Sequence, residues 1–190
     1  MIRPIPARLC ALVAMLAGMS FAASAQQPIA SYSAQAVNLD GRPGAVTGLV
    51  QIQITRWSTD AERDRVNAAL VEKGEASLLD VISRLPTVGT LRAPDSVGHP
   101  LRYARRTSSG PNGENILIVT NRPMSFGEIR NAPPSRDYPF TVIRLRVNSQ
   151  GQGDGELIIA SRIMADKVTK DIAFENFSAG VVKLQNVRRE

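Results

Sequence analysis

Val50, Ile52 and Ile54 alternate with Gln51, Gln53 and Thr55 across residues 47–55. Successive side chains of a strand point to opposite faces, so this spacing predicts a half-buried antiparallel strand and argues against a helix there. Turn chemistry flanks it and recurs along the chain: Asp40-Gly41-Arg42-Pro43-Gly44, Ser108-Ser109-Gly110-Pro111-Asn112-Gly113, the glycine-rich run from Asn148 to Gly155, and Ala179-Gly180. Between these breaks, residues 32–39, 47–55, 101–107, 115–120, 140–147, 156–164, 171–177 and 181–187 read as strands joined mostly by short loops.

One segment departs from this period. Thr59 and Glu62 are spaced as a capping box, in which each side chain accepts a hydrogen bond from the other residue's backbone N–H. Asp60, Glu62 and Asp64 place negative charge where a helix dipole favours it. Val66, Ala69 and Leu70 then repeat at helical spacing, and Gly74 closes the helix. Leu78, Leu79, Ile82 and Leu85 form the apolar stripe of a second helix over 76–85, which Pro86 stops.

The expected fold is therefore α+β: a mostly antiparallel sheet of about eight strands in a meander, with a two-helix insertion after the second strand. Eight strands are enough to close a barrel. In 115–120, however, Ile116 and Ile118 make one face apolar while Leu117 and Val119 make the other so. A strand buried on both sides favours helices against one face of an open or partly closed sheet.

Composition matters chiefly at the N-terminus. Residues 1–25 carry Arg3 and Arg8 without an acid, then an apolar run from Leu9 to Ala23, then Ala23-Ser24-Ala25. That order predicts a signal peptide cleaved near Ala25, an exported mature domain over 26–190, and a periplasmic or extracellular location. Cleavage removes 25 of the 190 residues and two of the 23 basic side chains, so the formal charge falls from +6 to +4. It also removes Cys10, the one cysteine, which stands at the start of the apolar run and not after it, as a lipidated cysteine would. A mature chain without cysteine has no thiol nucleophile, CxxC redox motif or cysteine-ligated metal. No later stretch reaches membrane-spanning length.

Candidate chemistry is sparse. His99 is the single histidine, in Gly98-His99-Pro100, and no GxSxG accompanies it. A hydrolase reading would use Glu128, Asp137 or His99, the first two lying in or beside an irregular connector. With 17 acidic residues, capping and solvation account for most carboxylates equally well. One histidine leaves little for zinc, and the 148–155 run lacks the ligand spacing of a calcium loop. No phosphate-cradling glycine motif is present, so no cofactor is expected. Sparse aromatics and export argue against nucleic acid.

Arginine placement is the more informative polar feature. Arg102, Arg105, Arg106, Arg144, Arg146 and Arg162 fall within predicted strands, and Arg144 and Arg146 share an outward face opposite Ile143, Leu145 and Val147. If neighbouring strands pair in order, Arg162 joins them in a patch that takes phosphate or carboxylate. The plainer explanation is a solvated sheet face with ion pairs to Glu156 or Glu175. Trp57, the only tryptophan, stands where strand gives way to helix, as a pocket wall or as a core anchor.

Three stretches, Arg56-Trp57-Ser58-Thr59-Asp60-Ala61-Glu62-Arg63, Asn121-Arg122-Pro123-Met124-Ser125-Phe126 and Asp137-Tyr138-Pro139-Phe140-Thr141, stand beside Arg102-Tyr103-Ala104-Arg105. Together they resemble a group of uncharacterised exported bacterial proteins over most of the mature chain. The resemblance implies export and a shared fold and transfers no catalytic role. The functional expectation is a non-enzymatic module that binds an envelope component or a protein partner. The alternatives are a barrel-like carrier of a small apolar ligand and the hydrolase.

Overall fold

The computed structural model describes residues 27–38, 47–73, 75–93, 98–111, 113–122, 140–165, 172–176 and 181–190. The expected signal peptide lies outside them, as do Glu128 and Asp137.

The strands are β1 (Ala30–Asn38), β2 (Thr47–Ile54), β3 (Gly89–Arg92), β4 (His99–Leu101), β5 (Tyr103–Ser108), β6 (Gly113–Thr120), β7 (Phe140–Asn148), β8 (Gln152–Ala165), β9 (Ile172–Asn176) and β10 (Val181–Arg189). All pair antiparallel, in the order β4-β3-β2-β1-β10-β8-β7-β6-β5, with β9 added to the far part of β8. The two ends of that path, β4 and β5, are consecutive pieces of one chain segment divided only at Arg102. Its first half pairs with β3 and its second half with β6, while Arg102 N–H donates to the Val119 carbonyl at 3.0 Å. One segment thus joins both sheet edges, and the sheet nearly closes into a barrel.

The alternation seen in the sequence fills the inside. Tyr32, Ala34, Ala36, Val50, Ile52, Ile54, Leu91, Leu101, Ile116, Ile118, Ile143, Leu145, Leu157, Val182 and Leu184 form one buried cluster with their neighbours. Gly153 and Gly155 let β8 approach β7: a Cβ on Gly153 would lie 1.7 Å from the Arg146 carbonyl oxygen. These glycines are strand residues, so the expected loop from Asn148 to Gly155 shortens to a tight turn. There Asn148 Oδ1 accepts from the N–H groups of Gln150 and Gln152, both at 3.0 Å, and Gly151 adopts φ 72°.

The two helices sit outside the barrel. α1 (Asp60–Ala68) runs through a π-turn at Ala69–Lys73 toward α2 (Glu75–Arg84). Val66, Leu70, Leu78, Ile82 and Leu85 pack on Tyr103, Val119, Phe140, Val142 and Ile163. This explains the doubly apolar stretch in β6: Ile116 and Ile118 face the interior, while Leu117 and Val119 face the helices. The antiparallel α+β fold, with its helical insertion after the second strand, is as expected.

The helix start is fastened by a compact polar cluster. Thr59 Oγ1 accepts from Glu62 N–H at 3.2 Å, and Glu62 Oε2 accepts from Thr59 N–H at 2.9 Å. Arg56 then grips both oxygens of Glu62, at 2.9 and 3.0 Å. Hydrogen bonding from Arg56 is the main reason the Glu62 carboxyl titrates below its ordinary range, overcoming the opposing effect of burial.

Candidate functional site: an arginine-lined groove

Strand register arranges the outer face of β5–β8 in three rows. Tyr103, Val119, Val142 and Ile158 stand side by side in the first row, on the side where the helices pack. The next row reads Arg105, Leu117, Arg144, Glu156 and, on β10, Lys183. The third reads Thr107, Asn115, Arg146 and Asp154. The face therefore grades from apolar to charged within two residues of each strand. α1 borders this slope and adds Arg63 and Asn67, which complete a groove of about 780 Å³.

Four guanidiniums, Arg63, Arg105, Arg144 and Arg146, line this groove with one carboxylate, Glu156. Each is held by an acid. Asp60 Oδ1 accepts from Arg105 at 2.9 Å and lies 3.2 Å from Arg63, whose other contact is Asp64 at 2.9 Å. Arg144 donates to Glu156 Oε2 at 2.9 Å, and Lys183 donates to the other oxygen. Arg146 donates to Asp154 at 3.2 Å. The Lys183 hydrogen bond, with Arg144 behind it, keeps the Glu156 carboxyl ionised below its usual range. Asp60 is 73% exposed and Asp154 65%, so these pairs stand in water and contribute little to stability.

A guanidinium offers five N–H donors in a planar fork, of which one acid engages one or two. The groove is therefore suited to receiving anionic oxygens. Burial pushes the phenol of Tyr103, which also lines the groove, up to about 12 and keeps it protonated.

The other candidates lie elsewhere. Arg162 is six residues along β8 from Glu156, about 20 Å at strand rise, and its backbone pairs with Glu175 of β9. Register separates it from the row that holds Arg144, so the expected three-arginine patch comprises two of its members, joined by Arg63 and Arg105. Trp57 packs against the barrel interior, with the Arg106 guanidinium 5.4 Å from its ring centre. His99 pairs across from Leu91 in β4, and its Nδ1 is buried without a hydrogen-bond partner among the described residues. Burial, and then the charge of Arg122, lower its pKa. A second hollow of about 410 Å³, beside Ala34, Gly48 and Leu49 on β1 and β2, carries one cation, Arg188.

Arg63 was not legible as a groove residue. Its spacing three residues after Asp60 signals a helical ion pair, but nothing local tells which sheet face α1 borders. Among the described residues, no three His, Cys, Asp or Glu side chains cluster as metal ligands, and no helix is long and apolar enough to cross a membrane. The fold and groove define a barrel-like antiparallel α+β protein with an arginine-lined groove on its outer face. No protein-family model, curated protein or solved structure matches the chain.

Proposed function

We propose that this protein is an exported, non-enzymatic binding module that takes an anionic group of an envelope component into the groove between α1 and β5–β8. The observation that carries the reading is the convergence of Arg63, Arg105, Arg144 and Arg146 from three separate elements on one groove of about 780 Å³. That size falls within the range of ligand clefts. Export rests on the leader-like order of residues 1–25. The carrier alternative draws on the near-closure of the sheet, but the interior side chains pack on one another and weigh against it.

Equilibrium binding to lipopolysaccharide and to an acidic polysaccharide, with the wild type and with Arg144→Ala/Arg146→Ala, tests the reading. A loss of roughly tenfold or more is expected, since two charge-assisted contacts disappear. Equal affinity of the double variant would end it.

A further inference from the structure

β10 carries one residue more than the strands on either side of it. Between the Ser33–Arg188 and Gln35–Gln185 pairs, β1 advances two residues and β10 three. The same surplus falls against β8, between the Leu184–Gly155 and Val187–Gly153 pairs. Asn186 sits in this bulge at φ 53°, a left-handed conformation that asparagine tolerates better than most residues. The bulge shifts the alternation of the strand. Val182, Leu184 and then Val187 belong to the interior cluster, so Gln185 and Asn186 are both exposed and Arg188 follows them onto the outer face. In an unbroken strand Arg188 would share the inward side of Leu184.

There the bulge borders the hollow of about 410 Å³, which shares no lining residue with the arginine groove. Arg188 is in register with Ser33, and Leu49, 55% exposed, is in register with Gln35. Those two positions are about 7 Å apart along β1, the reach of a dipeptide. The Ser33 hydroxyl and the amides of Gln35 and Asn186 line the hollow with them. Among the described residues, no hydrogen bond or ion pair engages these polar side chains or the Arg188 guanidinium. The groove arginines, by contrast, are each held by an acid. A guanidinium takes a carboxylate, an exposed leucine takes an apolar side chain, and amides, which both donate and accept, match a peptide unit. A fatty acid would supply the first two and leave the amides facing methylenes. We infer that this hollow captures the free C-terminus of a peptide whose last residues are apolar.

The test is calorimetric titration of the protein with an acetylated alanine tetrapeptide ending in leucine, as the free acid and as the C-terminal amide, beside octanoate. The free acid should bind saturably, and the amide and octanoate should each bind roughly tenfold more weakly or worse, the first for want of the charge-assisted contact and the second for want of peptide groups. Arg188→Gln should bring the free acid down to the level of the amide. Leu49→Ser should weaken the leucine-ended peptide several-fold while leaving a glycine-ended one unchanged, which a merely structural role would not produce. Arg144→Ala/Arg146→Ala should bind the peptide as the wild type does, so this site and the anion groove stand or fall separately. Equal affinity for acid and amide, octanoate bound as tightly as the peptide, or failure of both peptides to bind would overturn the inference.

Discussion

Two arginine–carboxylate systems flank α1 and differ in what they hold. At its start, Arg56 grips Glu62 through two hydrogen bonds, and Glu62 is at the same time half of the capping box. That carboxylate is 6% exposed and joins the end of β2 to the first turn of α1. Along its side, Arg63 and Arg105 share one oxygen of an exposed Asp60, while Arg144 pairs with Glu156 and Arg146 with Asp154. The same chemical pair is structural where it is shielded and two-pronged. It is exchangeable where water competes for each contact.

The largest expected effect breaks the first system. Glu62→Ala removes one half of the capping box and the Arg56 contact together, and should cost about 2–4 kcal/mol in urea unfolding. Arg144→Ala/Arg146→Ala should cost less than about 1 kcal/mol in the same assay, although it removes two charges from the groove. If the two variants were equally destabilised, the contrast between the regions would collapse.

Acid sharpens the contrast further. The folded-state pKa values of Glu62 and Glu156 lie below the ordinary value of 4.5. Their contribution is complete above that pH and is lost as pH falls through the lower folded values. Glu62→Gln should flatten the decline of stability below pH 4.5 more than Glu156→Gln does, because Glu62 is the better shielded of the two. His99 adds a smaller term at higher pH. Its lowered folded pKa makes stability complete above 6.5 and diminishing as pH drops below it. A His99→Gln variant, followed by thermal unfolding between pH 7 and pH 5, should lose that part of the slope. An unchanged slope would assign it to other groups.

The parts legible in the sequence were those set by local chemistry. Thr59 and Glu62 marked the helix start, and the structure shows both halves of the capping box. The two apolar faces of 115–120 signalled a strand between core and helices, which is where β6 lies. Near-closure of the sheet was not legible. It depends on β3 and β4, short strands of four and three residues, and on one segment pairing to both sides of the barrel. Those pairings are long-range, and neither short strand spans enough residues to show a period. The strand character of Gly153 and Gly155 was hidden for a related reason. Glycine ordinarily signals a turn, and only the close approach of β7 explains it inside β8. Of the groove, Arg144 and Arg146 followed from the period of two, while Arg63 depended on where α1 docks.

The division between a structural and an exchangeable arginine system is tested most directly at the guanidinium groups themselves. Arginine Nε–Hε resonances can be followed by NMR while the protein is titrated with an acidic polysaccharide. The account predicts progressive, saturable shifts at Arg63, Arg105, Arg144 and Arg146, with Arg56 unmoved beside Glu62. Uniform small shifts across all arginines, or movement of Arg56 with the groove residues silent, would contradict it.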